Sequence, residues 1–262
     1  MLAVWKEGDD IAVFESGWTF DHFYPIFSDP AGPCLEGWVT TTALAQATRR
    51  LRVGTLVTGI HYRHPAVLAN MAATLDVISG GRLELGIGAG WNEEESGAYG
   101  IALGDPRKRS DRFEEACEVL VSLLSKETTD FGGSYYRLSN ARCEPKGVQR
   151  PHPPICIGGS GERRTLRTAA RFAQHWNFLG GTPEQFARKR DVLYAHCQDI
   201  GRDPKEITLS GHVWLDNGDI EATAAAAAAL GEQGLDLAII YLPPPHDPAV
   251  LAPLAQALSP LR

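Results

Sequence analysis

Apolar positions along the chain switch repeatedly between helical and strand spacing. After His64, the residues Val67, Leu68, Met71, Leu75 and Ile78 recur at helical intervals, Gly80-Gly81 stops that helix, and Arg82 to Ala89 is an apolar run of strand length. On this strand Glu84, Gly86, Gly88 and Gly90 share one parity, whereas Leu83, Leu85, Ile87 and Ala89 share the other. One face is thus nearly bare, which implies tight strand packing or the close approach of another backbone or a flat ligand.

The same alternation runs through the chain. Residues 11 to 16 (IAVFES) predict a strand with WTFDHF as its exit loop, and Leu35 to Arg50 a helix. Arg52 to Ile60 predicts a second strand, with HYRHP as the turn into the helix after His64. Beyond the glycine-rich strand, a helix capped by Ser110 carries Phe113, Ala116, Cys117, Leu120, Leu123 and Leu124 as a core stripe. From Thr128 to Pro154 the pattern breaks, and FGGSYYRLSNARCEP reads as a hairpin insertion near 128–152. Four further strands follow. ICIGG precedes a helix beginning at Ser160 with Leu166, Ala169, Ala170 and Ala173 inward; HWNFLGG precedes a helix from Thr182 with Phe186, Leu193, Cys197 and Ile200 inward. ITLSGHVWL leads to an alanine-rich helix over 219–233, and LDLAIIYLP to a last helix with Leu251, Leu254 and Leu258.

Strictly alternating strands and helices with continuous apolar strands imply a parallel α/β sheet. Seven strands are countable, and glycine and polar residues directly after so many of them favour the mouth of a (β/α) barrel over an open doubly wound sheet. Met1 to Asp10 reads as the tail of a helix whose preceding strand is missing.

The length of 262 residues suits one barrel domain, which typically needs about 250. A net charge of −7 argues against a general nucleic-acid or acidic-membrane surface, so local charge matters more. The five cysteines are scattered without a CxxC pair and read as reduced thiols of a cytoplasmic protein. No signal pattern or membrane-length apolar run is present in the sequence.

Candidate chemistry gathers in four strand-exit loops: Asp21-His22, Thr58 to His61, Gly90 to Glu93, and Gly158 to Gly161. In a barrel all four face one mouth. A histidine beside a carboxylate suits proton transfer, although adjacent residues rarely face the same way. GGSG before a helix suits a phosphate, and Arg163, Arg164, Arg167 and Arg171 add local positive charge. Neither HxH nor HExxH is present, so no metal site is expected.

The stretches ESGWTFDHFYPIF, LRVGTLVTGIHYRHPAVLANMAATLDVISGGRLELGIGAGWNEEE and RCEPKGVQRPHPPICIGGSGERRTLRTAARFAQHWN resemble the luciferase-like monooxygenase superfamily, and within it the coenzyme F420-dependent oxidoreductases. The resemblance implies a (β/α)8 TIM barrel of the bacterial luciferase type, here lacking its first strand. It further implies a homodimer that binds a flavin or deazaflavin and a small-molecule substrate. By that analogy the strand ending Leu56-Val57-Thr58 carries a bulge and a non-proline cis peptide behind the ring. Val57, Thr58, Gly88, Ala89, Gly90 and Asn92 flank the coenzyme, and Gly158, Gly159, Ser160 and Gly161 cradle its phosphate, with Arg63 reaching the anionic tail. His22 handles the proton, Asp21 orients it or touches the ring, and Glu93 is a further acidic candidate, with Trp91 walling the pocket. The implied activity is F420-dependent hydride transfer. An FMN-dependent two-component monooxygenase and a non-catalytic flavin-binding paralogue are the alternatives.

Overall fold

The computed structural model describes residues 1–261. In chain order the elements are α1 (Leu2–Asp10), β1 (Ser16–Thr19), α2 (Gly37–Ala47), β2 (Arg52–Thr55), β3 (Thr58–Gly59), α3 (Pro65–Ser79), β4 (Leu85–Gly88), α4 (Glu93–Ala98) and α5 (Pro106–Ser125). There follow β5 (Thr129–Gly132), β6 (Arg137–Ala141), β7 (Ile155–Gly158), α6 (Thr165–Phe172), β8 (His175–Phe178), α7 (Pro183–Asp199), β9 (Thr208–Trp214), α8 (Ile220–Glu232), β10 (Leu237–Tyr241) and α9 (Leu251–Leu258). Counting β2 and β3 as one interrupted strand, and setting aside β5 and β6, the described residues hold the seven strands expected. No helix among them is long and apolar enough to cross a membrane.

The chain divides into two compact units. One comprises Met1–Gly17, Ala47–Arg52 and the chain from Cys156 onward. Its strands lie in the order β10-β9-β8-β7, all parallel where paired. Trp176 of β8 stacks on Phe186 of α7 with ring centroids 6.0 Å apart, so the even positions of β8 meet the helix. The odd positions point the other way, where His175 and Asn177 both bond the Ser210 hydroxyl of β9. In the same unit the Asp9 carboxylate accepts the Arg49, Arg50 and Leu51 amides, closing the end of α1 onto the start of β2.

The other unit comprises Trp18–Gln46 and Val53–Ile155. Here β3 and β4 pair in parallel, with Thr58 opposite Ile87, and β5 and β6 form the expected antiparallel hairpin. Between β2 and β3 the chain makes a non-proline cis peptide, Leu56-Val57, at the site the resemblance indicated. α3 begins where expected: His64 caps it by accepting the Ala66 amide, and Gly80 ends it in the left-handed conformation. α5 buries the stripe from Phe113 to Leu124 as predicted.

Several boundaries and faces differ from expectation. The first strand is Ser16–Thr19, not 11–16, because a turn follows α1 and pairing starts only where the Arg52 amide meets the Glu15 carbonyl. On α3 the buried residues are Pro65, Leu68, Ala69, Ala72, Ala73, Leu75, Asp76 and Ser79, while Val67 and Ile78 are exposed. Small residues let neighbouring chain approach that face, so a count of large apolar residues misplaces it. α5 starts at Pro106 with Asp105 as its cap, leaving Ser110 inside the helix. α6 starts at Thr165 rather than directly at Ser160, and Ile200 is an exposed C-cap of α7.

Candidate active site

β1 delivers Asp21 and His22 into its exit loop, and the two adjacent side chains take different partners. Asp21, almost fully buried, forms a bidentate pair with Arg63, one of its two bonds being 3.1 Å. His22 turns instead to Glu95 on α4, with Nδ1 2.8 Å from Oε2. The expectation that Asp21 orients His22 is therefore corrected. Arg63 is likewise committed to Asp21, and lies 3.5 Å from Glu36, rather than being a free cation for an anionic tail.

Glu95 is the centre of this cluster. Its carboxylate is fully buried and accepts from His22, the Tyr62 hydroxyl and the Phe23 and Tyr24 amides. Burial pushes its carboxyl upward, but the bonds from Tyr62, Phe23 and His22 outweigh that, and its pKa lies below the usual glutamate value. For Tyr62, burial and the same carboxylate push the phenol well above its usual range, so it stays a neutral donor. Glu93, the expected acid, stands exposed in the first turn of α4. The available signal for Glu95 was the Asn92-x-x-Glu95 spacing of a helix start, since the Asn92 Oδ1 caps α4 by accepting the Glu95 amide at 3.1 Å.

Each residue of the turn His61 to His64 has its own attachment. His61 Nε2 lies 3.0 Å from the Ser96 hydroxyl, Tyr62 reaches Glu95, Arg63 holds Asp21, and His64 caps α3. Burial, with Arg112 nearby, lowers the His61 pKa to about 4, so this ring is neutral near pH 7. The ring lies against the Gly90 backbone: a Cβ there would come within 2.5 Å of its Cε1.

The bare glycine face has two explanations in the fold itself. A side chain at Gly86 would overlap the Thr55 carbonyl, and one at Gly90 would strike His61. The Thr58 hydroxyl is buried and bonded to Trp38 and Thr55, at 2.9 and 2.8 Å, so its side chain serves packing. Val57, Ala89 and Gly90 are partly exposed at the strand ends, and Gly88 is buried. Trp91 is 60% exposed with its ring edge-on to His22 at 5.6 Å, open to a ligand on its other side.

In the other unit, Gly158 ends β7 and Gly159 has φ +123°, with its amide donating to the Asn177 carbonyl. The Ser160 and Gly161 amides donate to no group among the described residues, and Arg164 provides no side-chain cap to α6. This loop suits an anion on two of its amides, with Gly159 serving the turn.

Solved structures with the same fold include an F420-dependent secondary alcohol dehydrogenase in complex with an F420-acetone adduct, with TM-score 0.73 and 22% identity over 98% of this chain and 78% of that one. Another is the monooxygenase RslO1 from Streptomyces bottropensis, with TM-score 0.76 and 21% identity over 98% of this chain and 93% of that one. The fold is therefore the luciferase-type α/β barrel. Among curated relatives, the F420-dependent hydroxymycolic acid dehydrogenase of Mycobacterium tuberculosis is 30% identical over 235 residues, 86% of this chain and 61% of the relative. The matches span about half the length of the first curated relatives. The model of the luciferase-like monooxygenase family matches residues 10–259, nearly the whole sequence, and the chain belongs to that family.

Proposed function

We propose that the protein is an F420-dependent oxidoreductase that moves a hydride to or from a small organic substrate, with His22 handling the accompanying proton. The observation that carries this reading is the His22–Glu95 pair: a nearly buried imidazole anchored at Nδ1 by a carboxylate, with no partner for Nε2 among the described residues. Such a ring can take or give a proton at Nε2 without leaving its place. The bound deazaflavin would supply the hydride chemistry at its C5. Trp91 lies edge-on against the His22 ring, and Arg63 holds the loop through Asp21. Relatives named as F420-dependent support this choice of coenzyme.

A second reading, an FMN-dependent monooxygenase, follows from membership of the luciferase-like monooxygenase family. Fluorescence titration of the coenzyme-free protein with F420 and with FMN, at one salt concentration, separates the two. Tighter F420 binding is expected, and preference for FMN would replace the first reading by the second. His22→Ala should keep coenzyme affinity within about threefold yet slow turnover at least about 10²-fold. Unchanged turnover removes His22 from the mechanism.

A further inference from the structure

We infer that Glu95 is the positioning residue of this site: it fixes His22 as the Nδ1–H tautomer and so makes Nε2 the acceptor presented for proton transfer. The inference rests on His22 being the proton-handling group, but the tautomer is a property of the protein alone.

The directions of the hydrogen bonds leave one arrangement. Oε1 of Glu95 faces the Phe23 and Tyr24 amides, which can only donate. Oε2 faces the Tyr62 hydroxyl and His22 Nδ1. With both oxygens engaged and the side chain fully buried, an ionised carboxylate has no proton to give, and every partner must donate to it. The proton on His22 therefore lies at Nδ1. The Tyr62 oxygen sits 3.4 Å from the same nitrogen, flanking rather than replacing the carboxylate. Tyr62 and Trp91 meet the imidazole edge-on, at centroid distances of 6.3 and 5.6 Å, so the ring has little freedom to flip and exchange its nitrogens. When Nε2 takes a proton, the positive charge forms 2.8 Å from a carboxylate already in place. When it gives the proton up, the same carboxylate retains the Nδ1 proton, and the ring returns to its starting tautomer.

The test is a two-bond ¹H–¹⁵N correlation spectrum of the coenzyme-free protein with ¹⁵N-labelled histidine at pH 8, the His22 signals being assigned by their loss in His22→Gln. A pure Nδ1–H pattern is expected, and an Nε2–H pattern or an averaged mixture overturns the inference. Glu95→Gln should abolish the single tautomer and lower kcat about 10²-fold with little change in KM; retention of the pure Nδ1–H form overturns it. If Glu95→Gln does not fold, Tyr62→Phe serves, because it keeps the carboxylate: the Nδ1–H form should persist, and its loss would transfer control to Tyr62. In the His22→Ala background Glu95→Gln should cause no further loss of turnover, whereas an independent loss means that Glu95 acts other than through His22. Absence of F420 binding would defeat the proposed function while leaving the tautomer result standing.

Discussion

Gly86 and Gly90 lie four residues apart on β4 and its exit, and different neighbours hold each to glycine. At Gly86 the obstacle is the Thr55 backbone carbonyl, which cannot move without breaking β2. Gly86→Ala should therefore cost about 3 kcal/mol or more in urea unfolding, or prevent folding. At Gly90 the obstacle is the His61 ring, and φ is +89°. Gly90→Ala should cost about 1–3 kcal/mol, and adding His61→Ala should recover the steric part but not the backbone part. Full additivity of the two changes would show that the ring is not the obstacle. From sequence these glycines were equivalent, because parity assigns a face but not the object against that face.

Along α3 the predicted ends hold, and of the periodic apolar residues Leu68 and Leu75 are buried while Val67 and Ile78 are exposed. Caps and glycines are local signals and were legible: His64 before Pro65 and the Gly80-Gly81 pair mark the helix as drawn. The burial of Asp76 was not legible, since its partners come from a loop about 70 residues away. Its carboxylate accepts the Val148 and Gln149 amides and the Gln149 side chain, at 2.6, 2.9 and 2.7 Å, fastening the proline-rich segment after the hairpin to α3. Asp76→Ala should cost about 1–3 kcal/mol, because it leaves the part-buried Val148 and Gln149 amides without their acceptor, and tryptic cleavage after Lys146 should quicken. Unchanged unfolding would show that water replaces the carboxylate. The same limit applied at the site: strand-exit loops pointed to Asp21 and His22, but the Glu95 and Arg63 pairings depend on elements that only the fold brings together.

Across the whole molecule, two half-buried imidazoles contribute to the response to acid. Burial, with Arg112 nearby, lowers the pKa of His61 to about 4, and burial does the same for His212, whereas an unfolded histidine titrates near 6.5. Between about pH 6.5 and 4 the unfolded chain binds more protons, so stability falls as pH drops through that window. Glu95 adds to the loss at lower pH, because its lowered pKa contributes stability that disappears when the carboxylate is protonated. The Tm should therefore fall between pH 7.5 and pH 5, and His61→Gln combined with His212→Gln should flatten that fall; an equal slope in the double variant would refute the assignment. The turn from His61 to His64 has a different consequence for how this protein can change. Four neighbouring side chains serve four separate attachments, so a single deletion there would shift every later one out of register at once. Libraries selected for new substrates should thus accumulate accepted changes at exposed Trp91 and return the wild-type HYRH almost untouched.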